Sequence, residues 1–343
     1  MSDPVDERSG PVTIVDVARA AGVSHSTVSR VLNGRPHIKA ATRAKVEKAV
    51  SELGYVANLS ARSLAGGRLG LIGLVVLDLT SSYITEVVRG VDSALAEAGL
   101  DLMLCTTHER EQRERAYVER LSVGLCDGLI VLLPSLVDRY AGELNARNYP
   151  FVLVDHDGAG EATSIVSRNE EGARHAAAHL AELGHRRIGC ITGNLNISAG
   201  RDRLTGWNRA VAELGLDDDP ALIVEGDFRP ELGEAGARHL AGLDPRPTAI
   251  FAGSDASALG AAAALAELGL SIPDDMSLVG FDDTPVAATA QPPLTTVRQP
   301  MCEMGREAVR QLIARIEEPD QPVIHVELPT ELVVRSSTAR APS

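Results

Sequence analysis

Aromatic side chains are nearly missing from this chain: ten of its 343 residues are Phe, Trp or Tyr. A core of any size must therefore be aliphatic, and a hydrophobic content of 44% allows one. Lysine is rarer still. All three lysines (Lys39, Lys45, Lys48) fall within ten residues, so no G-x-x-x-x-G-K-[ST] phosphate loop exists beyond them. No dinucleotide fingerprint stands in for it, because Gly158-Ala-Gly160 is followed by Thr163 where a glycine is needed. A G-x-S-x-G elbow and an H-E-x-x-H pair are also missing. There is no run of about 18 apolar residues, and Met1 to Gly10 is polar and acidic, unlike a secretory leader. The chain is thus expected to be cytoplasmic, with no membrane partner. Its four cysteines (Cys105, Cys126, Cys190, Cys302) are far apart and are expected to be free, small hydrophobes of a reducing compartment.

Acidic charge dominates, with a net −14, but it is unevenly spread. Residues 12–68 carry nine Lys and Arg against Asp16, Glu47 and Glu52, a local +6, which leaves −20 for the remainder. A basic head on an acidic body suits nucleic-acid binding by the head alone.

The head reads as three short helices. Thr13 caps the first, with Asp16 as its capping-box partner. Gly22 makes the turn, and Ser24 caps a second helix from His25 to Leu32. A third runs from about Thr42 to Leu53, with Val46, Ala49, Val50 and Leu53 as its apolar stripe. From Leu69 the texture changes. Apolar runs of strand length (Leu71–Leu77, Gly128–Leu133, Phe151–Val154, Ile188–Ile191, Ser277–Phe281) alternate with helical patterns. That alternation predicts an α/β body with doubly wound parallel sheets, either closed into a barrel or split in two.

The strongest motif is V-T-I-V-D-V-A-R-A-A-G-V-S-H-S-T-V-S-R-V-L-N-G at 12–34. It describes a helix-turn-helix whose second helix carries short polar side chains, suited to the major groove, with Arg30 able to reach a guanine edge. On this motif residues 12–64 resemble the DNA-binding head and hinge of the LacI/GalR family, and the layout through Thr338 is similar to the family's. The resemblance implies that His25, Ser26 and Arg30 read bases, while Ser24, Thr27, Ser29 and Asn33 hold phosphates. It implies a hinge, Asn58 to Leu64, that folds on DNA, with Ala61 and the wedge Leu64 in the minor groove. Two departures stand out. Lys39 occupies the usual capping-serine position, and Ala57 replaces a proline.

Leu180-Ala-Glu-Leu-Gly-His-Arg-Arg-Ile188, Gly280-Phe-Asp-Asp-Thr284 and Pro293-Leu-Thr-Thr-Val-Arg-Gln299 also match the family. They imply a periplasmic-binding-protein-like body of two parallel-sheet subdomains with an effector between them. The implied boundaries are 1–57 for the head and 58–68 for the hinge. One subdomain spans 69–167 plus 298–320, the other 168–297 plus 321–343. By the same likeness Arg203 holds effector hydroxyls or a carboxylate, Asp282 accepts from hydroxyls or ring nitrogens, and Phe228 covers a flat or apolar face. Asp78, Tyr83, Asp155, Ser254 and Gln299 complete the expected effector site; Asp78, Asp155 and Asp282 each follow an apolar strand run.

The expected function is a DNA-binding transcriptional regulator, a repressor, controlled by a small effector. A sugar is expected first; a purine or nucleoside is the alternative through Phe228. The expected partners are pseudo-palindromic double-stranded operator DNA and a second copy of the chain, with no cofactor and no metal. A dimer is expected because no heptad tail follows Thr338. The competing class, a sugar kinase or dehydrogenase with a fused DNA-binding head, lacks its motifs. A transport sugar-binding protein would need export. His175 and His179 stand four apart on a helix but have no third ligand at metal spacing, and solvated helix histidines are the expectation for them, His108, His156, His185 and His239.

Overall fold

The structure is a computed structural model and describes residues 12–32, 38–55, 68–108, 110–156 and 160–342. The expected contacts Asn33, Ala61 and Leu64, with the hinge residues 58–67, lie outside these. Two compact units divide the chain, 1–69 and 70–343.

The first unit holds α1 (Ile14–Ala21), α2 (His25–Leu32) and α3 (Ala40–Leu53). Thr13 and Asp16 form the full capping box on α1, and Gly22 ends it in the left-handed region at φ 65°. The Ser24 hydroxyl accepts from the Thr27 amide at 3.2 Å to open α2. At the start of α3, Lys39 makes no side-chain capping bond. Val17, Ala18, Ala21, Val28, Val31, Val46 and Ala49 close a small aliphatic core. Leu53, expected in that core, is exposed, and Tyr55 packs there instead.

The second unit contains two six-stranded sheets. One comprises β1 (Leu71–Val76), β2 (Asp101–Thr106), β3 (Gly128–Leu132), β4 (Phe151–Val154), β5 (Thr163–Ser167) and β11 (His325–Leu328), in the order β11-β5-β4-β3-β1-β2. All its pairs are parallel. The other comprises β6 (Ile188–Ile191), β7 (Ile223–Val224), β8 (Ala249–Ala252), β9 (Ser277–Asp282), β10 (Thr295–Arg298) and β12 (Glu331–Val333), in the order β12-β10-β9-β8-β6-β7. Only β12 runs antiparallel. Two open sheets, not a barrel, are the outcome. The chain crosses between them after Ser167, after Arg298 and after Leu328. This corrects the 321–343 assignment: β11 adds to the first sheet by pairing with β5, and only from Glu331 does the chain return to the second. Arg298, expected in the first subdomain, ends β10 of the second.

Scarce aromatics force close aliphatic packing. On the first sheet α4 (Ser82–Glu97) and α12 (Met301–Glu317) cross at glycines. A Cβ on Gly90 would stand 2.0 Å from the Cys302 carbonyl oxygen, so no larger residue fits without parting the helices. The only tryptophan, Trp207, stacks on Phe251 with centroids 5.0 Å apart, beneath the second sheet. All four cysteines are free, with Cys126 and Cys190 buried. His185 departs from the solvated expectation. It is buried, and it hydrogen-bonds Thr248 at 2.8 Å and the Ala339 carbonyl at 3.0 Å, anchoring the C-terminal segment. Among the described residues no helix is long and apolar enough to cross a membrane, and no group of three His, Cys, Asp or Glu is arranged to hold a metal.

Candidate functional site

On the first unit, α2 buries only Val28 and Val31. Its remaining face is polar. Ser24, His25, Ser26 and Arg30 are exposed, while Thr27 and Ser29 are half-buried. Ser24 Oγ lies 2.8 Å from both Ser26 Oγ and Thr27 Oγ1, which gathers three hydroxyls at the helix N-terminus. A positive helix end lined with hydroxyls is suited to phosphate oxygens. Arg30, in the last turn, projects from the same helix into solvent.

On the second unit, the expected cleft residues converge where the strands of both sheets end. Asp155 follows β4 and Asp282 ends β9. Arg203 stands in α8 (Ser198–Leu214), Tyr83 near the start of α4. All four are less than a tenth exposed. Asp155, Phe228 and Asp282 hold φ values of 56°, 74° and 121°, in the region L-residues avoid. Such backbone persists only where its surroundings impose it, and it clusters at ligand sites.

Arg203 organises the polar interior. Its Nε donates to Asn169 Oδ1 at 2.8 Å, and its Nη1 to the Gly253 carbonyl at 2.5 Å and to Asp282 Oδ1 at 3.4 Å. The guanidinium lies 3.8 Å from the Phe281 ring centroid and 5.1 Å from that of Phe228. The Phe228 ring rests on Gly193, where a Cβ would meet it at 2.1 Å. Across the cleft the Tyr83 hydroxyl donates to Asp155 Oδ2, and Ser198 Oγ bonds the Asp155 carbonyl at 3.2 Å. The other carboxylate oxygen, Asp155 Oδ1, is buried and has no hydrogen-bond partner among the described residues.

Burial sets the electrostatics. It pushes the Asp282 carboxyl up to about 7; Arg203 opposes this, and Asp255 reinforces it. Burial likewise raises Asp155, against the Tyr83 hydrogen bond and the charge of Arg203. Tyr83 is driven well above its ordinary range by burial and by Asp155. One buried arginine thus faces several buried carboxyls, so the cleft has acceptors in excess.

Three expected residues have other attachments. Asp78 Oδ1 accepts from the Thr80 amide (2.7 Å), the Thr80 hydroxyl (2.9 Å) and the Ser81 amide (3.2 Å), closing the turn before α4. Partial burial pulls its carboxyl upward, but those bonds and the charge of Arg229 hold it low. Ser254 caps α10 (Asp255–Glu267) and also donates to the Phe228 carbonyl at 3.1 Å. Gln299 donates to Asp282 Oδ1 at 2.7 Å and accepts from Ser167, so both ends of its amide are occupied within the protein. Sequence reasoning missed Asn169, Ser167, Ser198 and Asp255. Asp255, in Gly253-Ser-Asp after the apolar run of β8, carried a usable signal. It accepts from the Thr284 amide at 2.7 Å and from Thr296 at 2.5 Å.

A helix-turn-helix head ahead of a two-subdomain α/β body defines a bacterial DNA-binding transcriptional regulator. Residues 13–58 match the bacterial regulatory proteins of the lacI family, and residues 177–338 match the periplasmic binding protein-like domain. The chain belongs to the lacI family of regulators and is not an enzyme. It is 36% identical to the HTH-type transcriptional repressor PurR of Vibrio atlanticus, over 95% of this chain and 98% of that one. The Serratia proteamaculans repressor of the same name is 36% identical, over 96% and 98%. Among solved structures, the Lac repressor dimer bound to operator and the anti-inducer ONPF superposes with a TM-score of 0.84 at 32% identity, over 96% of this chain and all of that one. A transcriptional regulator CelR–cellobiose complex gives 0.73 at 34%, over 95% and 99%.

Proposed function

We propose that this regulator is a repressor whose hold on operator DNA is set by a small, uncharged, donor-rich molecule, a sugar first, bound between the subdomains. One observation carries the reading: Asp155 Oδ1 is a buried acceptor without a donor among the described residues, beside Arg203 and Asp282. An unmet buried acceptor costs about 1–3 kcal/mol, which a ligand hydroxyl or N–H would recover. The cellobiose bound to the CelR regulator supports a sugar. A nucleoside or purine is the second reading, favoured by the half-buried Phe228 ring beside the guanidinium. Arg203, Asp282, Asp155 and Tyr83 are the expected direct contacts, with Phe228 and Ser254 at the edge. Gln299 and Asp78 act at one remove.

In the first unit, His25, Ser26 and Arg30 read bases in this proposal, and Ser24, Thr27, Ser29 and Asn33 hold phosphates. Ala61 and Leu64 act in the minor groove. Two heads on a homodimer match a pseudo-palindromic operator, and the dimeric Lac repressor on its operator supports that arrangement. Effector and operator then couple through one protein, each altering the affinity for the other.

The test is a thermal-shift screen of sugars and nucleosides on wild type and Asp155→Asn. A compound should raise the wild-type melting temperature and lose most of that effect in the variant. A binder indifferent to both Asp155→Asn and Arg203→Ala overturns the site.

A further inference from the structure

The segments joining the two sheets are the hinges of any relative motion. Two of them are tied together inside the protein. Ser167 ends β5 at the first crossover, and Gln299 follows β10 at the second. The Ser167 hydroxyl donates to Gln299 Oε1, while Gln299 Nε2 donates to Asp282 Oδ1 at 2.7 Å. The Gln299 backbone amide adds a bond to the Asp282 carbonyl at 3.2 Å. From Asp282 the chain of bonds continues through Arg203 to Asn169, two residues beyond Ser167. The loop of contacts therefore closes on the crossover where it began. Other ties between crossovers differ in kind. Arg168 N to the Leu328 carbonyl, at 2.9 Å, is a backbone bond, and Arg298–Glu331, at 3.3 Å, joins exposed side chains.

We propose that Gln299 is a positioning residue, a clasp that locks the first two crossovers together and links them through Asp282 to the occupancy of the cleft. The amide suits this task because it offers an acceptor to Ser167 and a donor to Asp282 at once. A carboxylate there would face Asp282 with like charge, and an aliphatic side chain would offer neither group. A ligand that recruits Asp282 or Arg203 changes the bonds that hold Gln299, and with them the hinges; buried polar chains respond as a unit. The link to occupancy rests on the effector site proposed above, but the clasp itself is testable without any ligand.

Amide hydrogen exchange on the full chain, with nothing added, compares wild type with Ser167→Ala, Ser167→Thr and Gln299→Met. Ser167→Ala and Gln299→Met should each speed exchange at residues 166–170 and 298–301 by about three- to tenfold, the factor one buried hydrogen bond supplies. The strand centres Phe151–Val154 and Ala249–Ala252 should keep wild-type rates. Ser167→Thr retains the hydroxyl and should behave as wild type. Wild-type exchange at both crossovers in the Ala and Met variants overturns the clasp. So does an acceleration shared equally by both sheets, or a Thr variant that behaves like Ala. Ser167→Ala removes a single oxygen and carries the test alone should Gln299→Met fail to fold. If no compound shifts melting, the effector reading fails by itself and the exchange result stands.

Discussion

The Arg203 guanidinium sits over the Phe281 ring, 3.8 Å from its centroid, and one residue further along the same strand Asp282 accepts its hydrogen bond. The strand thus holds the arginine twice, once by its aromatic face and once by its carboxyl. With Asn169 and Gly253 also engaged, the fork is fixed before any ligand arrives. Arg203→Lys keeps the charge but loses the planar stack and the Nε bond. It should lower the stability of the body by about 1.5–3 kcal/mol, the range for hydrogen bonds to charged groups. It should also weaken the thermal-shift response to any cleft ligand. Melting curves with and without the best compound from the screen measure both. An unchanged melting temperature would sink the account of Arg203 as a pre-set fork.

Tyr83 and Asp155 face each other as donor and acceptor, both buried. Tyr83→Phe leaves Asp155 with both oxygens unpaired, a loss of about 1–3 kcal/mol. Asp155→Asn at the same place can still accept from Tyr83 and sheds the buried charge. We expect Tyr83→Phe to melt earlier than wild type and Asp155→Asn to melt near it or above. The reverse order, read by calorimetry, would show that the hydroxyl does not support the carboxylate.

Lys39 stands at the N-cap of α3 without capping it. Lys39→Ser should steady the first turn of that helix by about 0.5–2 kcal/mol. Slower amide exchange at 41–43 is the expected sign, and unchanged rates there would count against it. Arg30→Ala, on the exposed face of α2, should cost about 1–3 kcal/mol in operator affinity and relax preference at one base pair. Equal weakening on operator and random DNA would instead make Arg30 a phosphate contact.

Much of this was legible because particular residues leave no choice. Thr13 with Asp16, Gly22 and Ser24 mark the ends of two helices, and the structure begins and ends them there. The buried central strands read as unbroken apolar runs, as both-face burial requires. What escaped was polar and joined residues far apart in the chain. Strand β5 reads Thr-Ser-Ile-Val-Ser and β10 Thr-Thr-Val-Arg, too short and too hydroxyl-rich to announce themselves, yet their Ser167 and Thr296 donate to the Gln299 amide oxygen and to the Asp255 carboxylate. The partition near residue 321 erred because β11 alternates exposed and half-buried positions and depends on β5 for its place. Gln299 is named in the sequence as an expected cleft residue. Its attachment to Ser167 was not legible, because the two stand 132 residues apart and no local pattern joins them.

The pH dependence of stability follows from the buried carboxyl of Asp282. Burial raises it from 3.8 to about 7, so the folded state holds this proton more tightly than the unfolded chain does. Where the folded state binds more protons, stability falls as pH rises. The contribution is complete below the unfolded value of 3.8 and is lost by the time pH passes the folded value near 7. Asp282→Asn removes this titration and keeps an oxygen for Arg203 and Gln299. Relative to wild type, the variant should therefore gain stability steadily between those two values and level off above them. Asp255 and Asp155 both push Asp282 upward, so the gap reports the linked titration of these buried carboxyls, with Asp282 removed from it in the variant. Denaturant melts of both proteins across that range measure the gap directly. A gap independent of pH would show that Asp282 stays ionised throughout, held by Arg203 more firmly than burial opposes it.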